Sequence, residues 1–599
     1  MKRYIKLSLL TASLLTFAGC NDSYLDRLPE TMVQKENFFK TESDLDMYAL
    51  NLYDFLDNGF YEQDATTDNA STTGNKEIKN IMLGTASAAN ITEGWNWEKL
   101  RDINFMLENL SQAKISEAKL KHYEGLARYF RARFYVNKVQ RFSDVPWVDK
   151  VVKVEDQAAL FGKRDPRELV VQKIMEDFKF AFENVEATKV PGKVNKWVIG
   201  QEYSRFALFE GTYRKYHKYL GLDKTVDNFL TIAYQTAENI MGNAGYAIHN
   251  TGKVESDYAS LYNNPNLENN SEVILGRFYA NNVINRSDWP GMFGNYEYYP
   301  LRDMVQSYLM KDGSIYTNKA GYDKFSFVEE FKDRDPRLAQ TYAAPGWNLV
   351  YVSTYSQGPG LYVQQLSKNF SGYHQIKGFL NTSVQEDRYN VDIPLYRYAE
   401  VLLTFAEAKA ELGILNNQAD LDKSVNLLRK RAGMPDMTLN PVLDTKMAND
   451  FKETAGPNQS LILEIRRERR VELAFEGFRF NDLMRWKAGK LLERKPQGIY
   501  FKGLGNHDVT GDGIADIKLI GASESLPEVR EKNSLGVTLR YYKVGKIGQD
   551  VSVFLSDGNS GYIDVVDKVG GFEEPKYYYR PIPKNDADIN TNLNQIFGW

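Results

Sequence analysis

LILEIRRERRVELAFEGFRFNDLMRWKAG, residues 461–489, places apolar residues three and four apart and predicts a helix. Within it Glu464, Glu468, Glu472 and Glu476 recur at every fourth position, an acidic ridge whose like charges weaken an isolated helix. Arg467 lies three residues from Glu464, and Arg469 three from Glu472, so the helix and its partners can neutralise the ridge. The run RRERR (466–470) therefore reads as a charge lattice at the centre of a helical scaffold. A nucleic-acid patch fits less well, because the glutamates interleaved with the run offset its charge and the chain as a whole carries a net charge of -4.

Working outward, the same spacing recurs in WEKLRDINFMLENLSQA (97–113) and KLKHYEGLARYFRARFYVNKVQRF (119–142). In the second, Leu126, Tyr129, Phe130 and Phe134 form one stripe, and Gly125 and Ala132 let a neighbouring helix approach. DPRELVVQKIMEDFKFAFENV (165–185) predicts a helix capped by Asp165 with Pro166 at its first position. Two more follow at 196–221 and 226–242, and the register returns after residue 392 in LYRYAEVLLTFAEAKAELG and DLDKSVNLLRKRAGM. The expected fold is mostly α, with tetratricopeptide-like helix pairs although the strict repeat signature is absent.

Between these helical parts, residues 245–392 break into short apolar pieces among Asn, Gly, Pro and aromatics, a loop-rich region with short strands. After helices over 393–490 comes a Gly-, Asp- and Tyr-rich tail, 491–599. No low-complexity linker divides the chain, so the parts 20–244 and 245–599 are expected to interleave as one unit.

Loops on a rigid scaffold carry recognition. Aromatics make up 13% of the chain, including 38 Tyr and 8 Trp, and such rings can stack on the apolar faces of sugars. The candidate ligand-binding residues are Trp95 in EGWNW, Trp289, Tyr296, Tyr298 and Tyr299 in SDWPGMFGNYEYYP, and Trp347 in APGWN. Each stands on or near turns rich in Asn, Asp or Gly, and for each ring the other reading is a loop anchor.

The single cysteine, Cys20, follows a basic start (Lys2, Arg3, Lys6), an apolar run from Leu7 to Phe17, and the small pair Ala18 and Gly19. That is a secretory signal over 1–19, too short for a permanent membrane span. The order LTFAGC is similar to a bacterial lipoprotein signal, making Cys20 the expected site of lipidation; the alternative is an ordinary signal beside an incidental Cys.

One Cys bound for lipid leaves no thiol catalyst, the five His have no metal-ligand spacing, and neither a phosphate-binding loop nor a nucleophile elbow is present. No catalytic residue is assigned, although a pair of carboxylates among 79 acidic residues could sit together in space. DVTGDGIAD places Asp508, Thr510, Asp512 and Asp516 at positions one, three, five and nine of a calcium-type loop, but Leu519 stands where the bidentate Glu belongs. No cofactor is required; the motif is either a structural calcium loop or an Asp/Gly hairpin turn.

Taken in order, the lipoprotein Cys, YLDRLP, LRDINFMLENL, ARYFRARFYVNKVQRFSDVPWV, IPLYRYAEVLLTFAEAKAELG, RRERRVELAFEGFRFNDLMRW and the terminal YYYRPIPKNDADINTNLNQIFGW resemble the SusD/RagB family of outer-membrane lipoproteins of Bacteroidetes. Ser143 replaces the usual Gly, and NQIFGW the usual Asn-Pro-Gly ending, both in scaffold positions. The resemblance implies a SusD-like helical scaffold and a non-enzymatic, cell-surface binder of oligosaccharide or another nutrient. It implies a SusC-like TonB-dependent transporter as partner, anchorage to the outer membrane through lipid, and no nucleic acid. The readings set against it are a surface glycoside hydrolase on a helical scaffold, a peptide- or glycoprotein-binding surface lipoprotein, and a structural or adhesive surface protein.

Overall fold

The computed structural model describes residues 38–53, 60–74, 76–279, 298–351, 357–384, 390–566 and 569–599. The signal segment and Cys20 lie outside them.

Helices dominate the N-terminal part: α1 (Glu42–Leu50), α2 (Glu77–Met82), α3 (Glu98–Asn109), α4 (Glu117–Phe142), α5 (Arg167–Asn184), α6 (Lys196–Tyr216) and α7 (Val226–Asn243), with the three-residue strand β1 (Ala70–Thr72) after α1. α4 packs on α5, and α6 on α7, as the paired pattern predicts. Glycines make the crossings close: a Cβ on Gly125 would stand 2.6 Å from Val185 Cγ2, and one on Gly211 2.8 Å from Leu230 Cδ2. Tyr129, Tyr135, Val139 and Phe142 bury the inner face of α4.

Asp165 does not cap α5. Pro166 takes the cap position, while Asp165 Oδ2 accepts the Trp147 main-chain N–H at 2.7 Å. The free N–H of Arg167 is met from elsewhere, by Asp144 Oδ1 at 3.1 Å. The residue before a proline is driven to extended backbone, which leaves Asp165 free for the preceding loop.

The loop-rich middle contributes β2 (Val273–Arg277), β3 (Tyr298–Pro300) and the short helix α8 (Arg302–Ser307). β2 pairs antiparallel with β4 (Ile393–Arg397), which runs straight into α9 (Tyr398–Glu411), followed by α10 (Val425–Arg431). One hydrophobic core extends from Phe39 to Leu593.

The opening stretch forms two helices where one is expected, α11 (Gln459–Glu472) and α12 (Arg479–Arg485). The chain breaks at Phe475, φ 62°, and Gly477, φ 80°. Left-handed backbone costs a non-glycine residue about 1–2 kcal/mol; here the Phe475 N–H donates to the buried Asp64 Oδ2 at 3.0 Å, and its ring is fully buried. At Gly477 any Cβ would collide with Gln63.

The acidic ridge of α11 is neutralised chiefly by other elements. Glu472 faces Arg337 and Arg397 at 3.0 Å and Arg431 at 2.5 Å, and Glu468 faces Arg337 and Arg429. Glu476 meets Lys377 and Arg397, both at 2.7 Å. Arg467 does pair with Glu464, at 2.9 Å, but Arg469 turns to Asp482 at 2.9 Å instead of Glu472. Buried charges are tolerated only when paired and hydrogen-bonded, so this lattice ties β4, α10, α11, α12 and the middle region into one geometry.

The Gly/Asp/Tyr-rich tail is more ordered than its composition suggests. It folds into β5 (Gln497–Phe501), β6 (Gly505–His507), β7 (Ile517–Gly521), β8 (Arg540–Gly545), β9 (Val553–Phe554), β10 (Gly561–Asp564) and the helix α13 (Lys584–Ile589). A four-stranded sheet has the order β9-β8-β7-β6, with only β6 antiparallel to its neighbour, and β5 pairs with β10. Ile517, Leu519, Tyr542, Val544 and Val553 turn inward to a second core. Their two-residue alternation is spread over strands too short to stand out among the turns.

Candidate ligand-binding site

β1 and β3 pair antiparallel, Ser71 opposite Tyr299, and Leu301 N–H donates to Asn69 O at 2.9 Å. This clamp sets the start of α8 against α2, the 491–497 turn and β10, and between them lies a cavity of about 500 Å³. Its wall includes Ser71, Arg302, Asp303, Tyr322, Asp323, Gln497 and Tyr562.

Arg302 organises one side. Its Nε lies 3.3 Å from Glu330 Oε1, Nη2 donates to the carbonyls of Tyr322 and Phe325, and the guanidinium sits 5.2 Å from the Tyr562 ring centroid. Its Nη1 has no acceptor among the described residues. Burial opposes its charge, but Glu330 and the surrounding tyrosines outweigh that and hold its pKa above the ordinary Arg value.

Asp303 anchors the other side, 2.7 Å from Lys446 and 2.9 Å from Arg470. Asp68, also in the wall, pairs with Arg479 at 2.7 Å and Arg470 at 3.2 Å. Burial raises both carboxyl pKa values, and the adjacent cations more than reverse it, holding Asp68 below and Asp303 well below the usual carboxylate range. Tyr322 and Tyr562 are half-buried, each held edge-on by a second tyrosine, Tyr316 at 5.8 Å and Tyr500 at 5.3 Å. The cavity thus offers aromatic rings beside hydroxyl, amide, guanidinium and carboxylate groups, within the 300–1,000 Å³ usual for small-ligand sites.

The residues singled out from the sequence lie mostly elsewhere. Tyr298 and Tyr299 are buried in β3, where Tyr298 OH donates to Tyr61 O at 3.3 Å and Tyr299 meets Phe370 edge-on at 6.0 Å; their strand delivers α8 to the cavity wall. Trp95 is buried, edge-on to Trp97 at 5.2 Å and to Phe142 at 4.9 Å, and both indoles line a separate apolar cavity of about 330 Å³ with Val148, Leu160 and Ile589. Trp347 is half-buried, edge-on to Tyr362 and Phe379. Trp289 and Tyr296 lie outside the described residues.

Sequence reasoning missed Arg302, Tyr322 and Tyr562. Tyr322 follows Gly321 in a turn, and Tyr562 follows Gly561 in a strand, a Gly-Tyr pairing too common here to mark a site.

In the Asp508–Asp516 turn the carboxylates receive main-chain N–H groups. Asp508 accepts from Thr510, Gly511 and Gly513, Asp512 from Ile514, and Asp516 from Val509 and Thr510, at 2.6–3.0 Å. Among the described residues no group of three or more His, Cys, Asp or Glu side chains is gathered to hold a metal, and no helix is long and apolar enough to cross a membrane.

The sequence model of the SusD family matches residues 237–599, more than half of the chain. Among characterised sequences, SusD-like protein P2 of Formosa agariphila is 24% identical over 515 residues, covering 82% of this chain and 92% of the relative. SusD-like protein P25 of the same organism is 22% identical, covering 78% and 86%. Among solved structures, a SusD-like protein from Bacteroides fragilis superposes with a TM-score of 0.67 at 19% identity, covering 96% of this chain and all of the other. A SusD-like carbohydrate binding protein from the same species gives 0.66 at 21% identity, covering 93% and 100%.

Proposed function

The chain belongs to the SusD family, and from that membership we propose that it binds glycan at the cell surface without catalysis and hands it to a SusC-like TonB-dependent transporter for import. In this reading lipid on Cys20 holds it to the outer membrane, the parts 20–244 and 245–599 act as one body, and the ligand is an oligosaccharide. Its similarity to a solved SusD-like carbohydrate binding protein supports the ligand class.

The observation that carries the reading is the 500 Å³ cavity, where the half-buried Tyr322 and Tyr562 stand beside Arg302, Asp323 and Gln497. A sugar presents an apolar ring face and a rim of hydroxyls, and this wall matches both. Two of the three wall carboxyls, Asp68 and Asp303, are poor candidates for the protonated acid a glycosidase needs, because arginine or lysine partners hold both ionised, and this favours binding over catalysis.

Screening the purified protein on a glycan array, with reducing-end analysis of the same mixtures, tests both halves of the proposal. Retention of an oligosaccharide with no new reducing ends is expected. Release of reducing ends would move the reading to a surface hydrolase, and retention of peptides alone to a peptide binder.

A further inference from the structure

The loop Gly94–Trp97 divides two cavities. Its indoles line the apolar one, while Gly94 and Asn96 line another of about 300 Å³ whose wall also holds Lys99, Arg133, Phe134, Lys138 and Arg141. Among the described residues, every ionised side chain in that wall is a cation.

Two of the four have carboxylate partners outside the wall. Arg133 pairs with Glu202 at 2.8 Å, and Arg141 with Glu77, which is itself shared with Arg580 at 3.1 Å. Lys99 and Lys138 have none among the described residues: Lys99 Nζ donates to Asn51 O at 2.9 Å, and Lys138 Nζ to Gly94 O and Asn96 O, both at 2.6 Å. Lys138 is 4% exposed, with its ammonium 4.7 Å from the Phe134 ring centroid and 4.9 Å from that of Trp97. Burial and then Arg141 pull its pKa down to about 7, and Asp586 only partly opposes them. The exposed Glu98 reaches the rim through Asn96 Nδ2 at 3.4 Å.

Carbonyl oxygens and ring faces compensate a buried ammonium only in part, so the group either gives up its proton or takes a counter-ion. We propose that this cavity is a second binding site, independent of the glycan cavity, for one anionic group, a carboxylate, sulfate or phosphate on a compact molecule. Lys99 and Lys138 supply the N–H donors that face it, and Asn137 an amide to pair with a neighbouring hydroxyl.

Calorimetric titration of the full chain at low ionic strength with glucuronate, inorganic phosphate and glucose tests it. One or both anions should bind and glucose should not, and Lys99→Gln should weaken the anion about tenfold with an unchanged melting temperature, since a charge-assisted hydrogen bond is lost. Glucuronate alone would identify a sugar acid as the ligand, and phosphate a free anion or headgroup. Lys138→Met removes the loop's tether as well, so its affinity is read beside its melting temperature. Silence from both anions, or equal anion affinity in Lys99→Gln and the parent, overturns the proposal; unchanged retention of the array oligosaccharide by Lys99→Gln separates this site from the glycan cavity.

Discussion

Arg470 Nη1 lies 2.9 Å from Asp303 Oδ2, joining the charge lattice of α11 to the wall of the candidate ligand cavity. The helix that marks the family in sequence thereby fixes the first turn of α8. Arg470 also reaches Asn69 and Asp68, so one guanidinium holds both strands' ends at the cavity.

Arg470→Met should therefore loosen the cavity while the fold persists. Asp303 keeps Lys446, so the loss should be about 1.5–3 kcal/mol, the worth of a charged hydrogen bond. Urea unfolding measures it, and glycan affinity should fall with it.

Glu472→Ala should be far worse, because it removes from the interior the one carboxylate that Arg337, Arg397 and Arg431 share. Breaking such a buried group costs about 3–5 kcal/mol. An unfolding midpoint within error of the parent would show that the lattice carries no stability.

The same carboxyl makes stability depend on acid. Burial raises the Glu472 pKa, but Arg431, Arg397 and Arg337 more than reverse that and hold it at about 2, against about 4.3 in an unfolded chain. Its contribution is fully present above pH 4.3 and is lost as pH falls through 2, because the unfolded chain takes up the proton first. Glu472→Gln should show a shallower loss between pH 5 and 2 in urea titrations, whatever its stability at neutral pH.

Tyr562→Ala and Tyr322→Ala should weaken glycan binding several-fold each, as expected for rings contributing about 0.5–1.5 kcal/mol. Trp95→Ala should instead lower the melting temperature, since truncating a buried Trp costs about 3–5 kcal/mol. Loss of binding in Trp95→Ala with an unchanged melting temperature would transfer the site to the apolar cavity.

In the proposed reading acyl chains on Cys20 supply the anchorage, so Cys20→Ser should fold normally and leave the membrane fraction. Calcium addition and chelation, followed by thermal unfolding, decide the Asp508–Asp516 turn: a self-capped hairpin leaves the melting temperature unchanged, and a bound ion raises it.

The helical scaffold was legible because long helices repeat their apolar spacing many times, as in α4. The break at Phe475 was not, since periodicity continues across it and only the contacts with Asp64 and Gln63 impose it. The lattice was foreseen as structural, yet Glu472 takes its partners from Arg337, Arg397 and Arg431, as many as 135 residues away. The cavity was the least legible part. Its rings come from two regions, around Tyr322 and around Tyr562, that are far apart in the chain and meet in the second core, where Ile499 N–H donates to Ser371 O at 2.9 Å, whereas sequence reading favours tryptophans, and the described tryptophans among them, Trp95 and Trp347, pack edge-on against other rings here.

The most direct test of the glycan cavity is a crystal structure of the protein with the oligosaccharide retained on the array. A sugar ring against Tyr322 or Tyr562, with a hydroxyl taken by Arg302, Asp323 or Gln497, is the predicted result. A sugar seated anywhere else on the protein, with this cavity empty, would contradict the account.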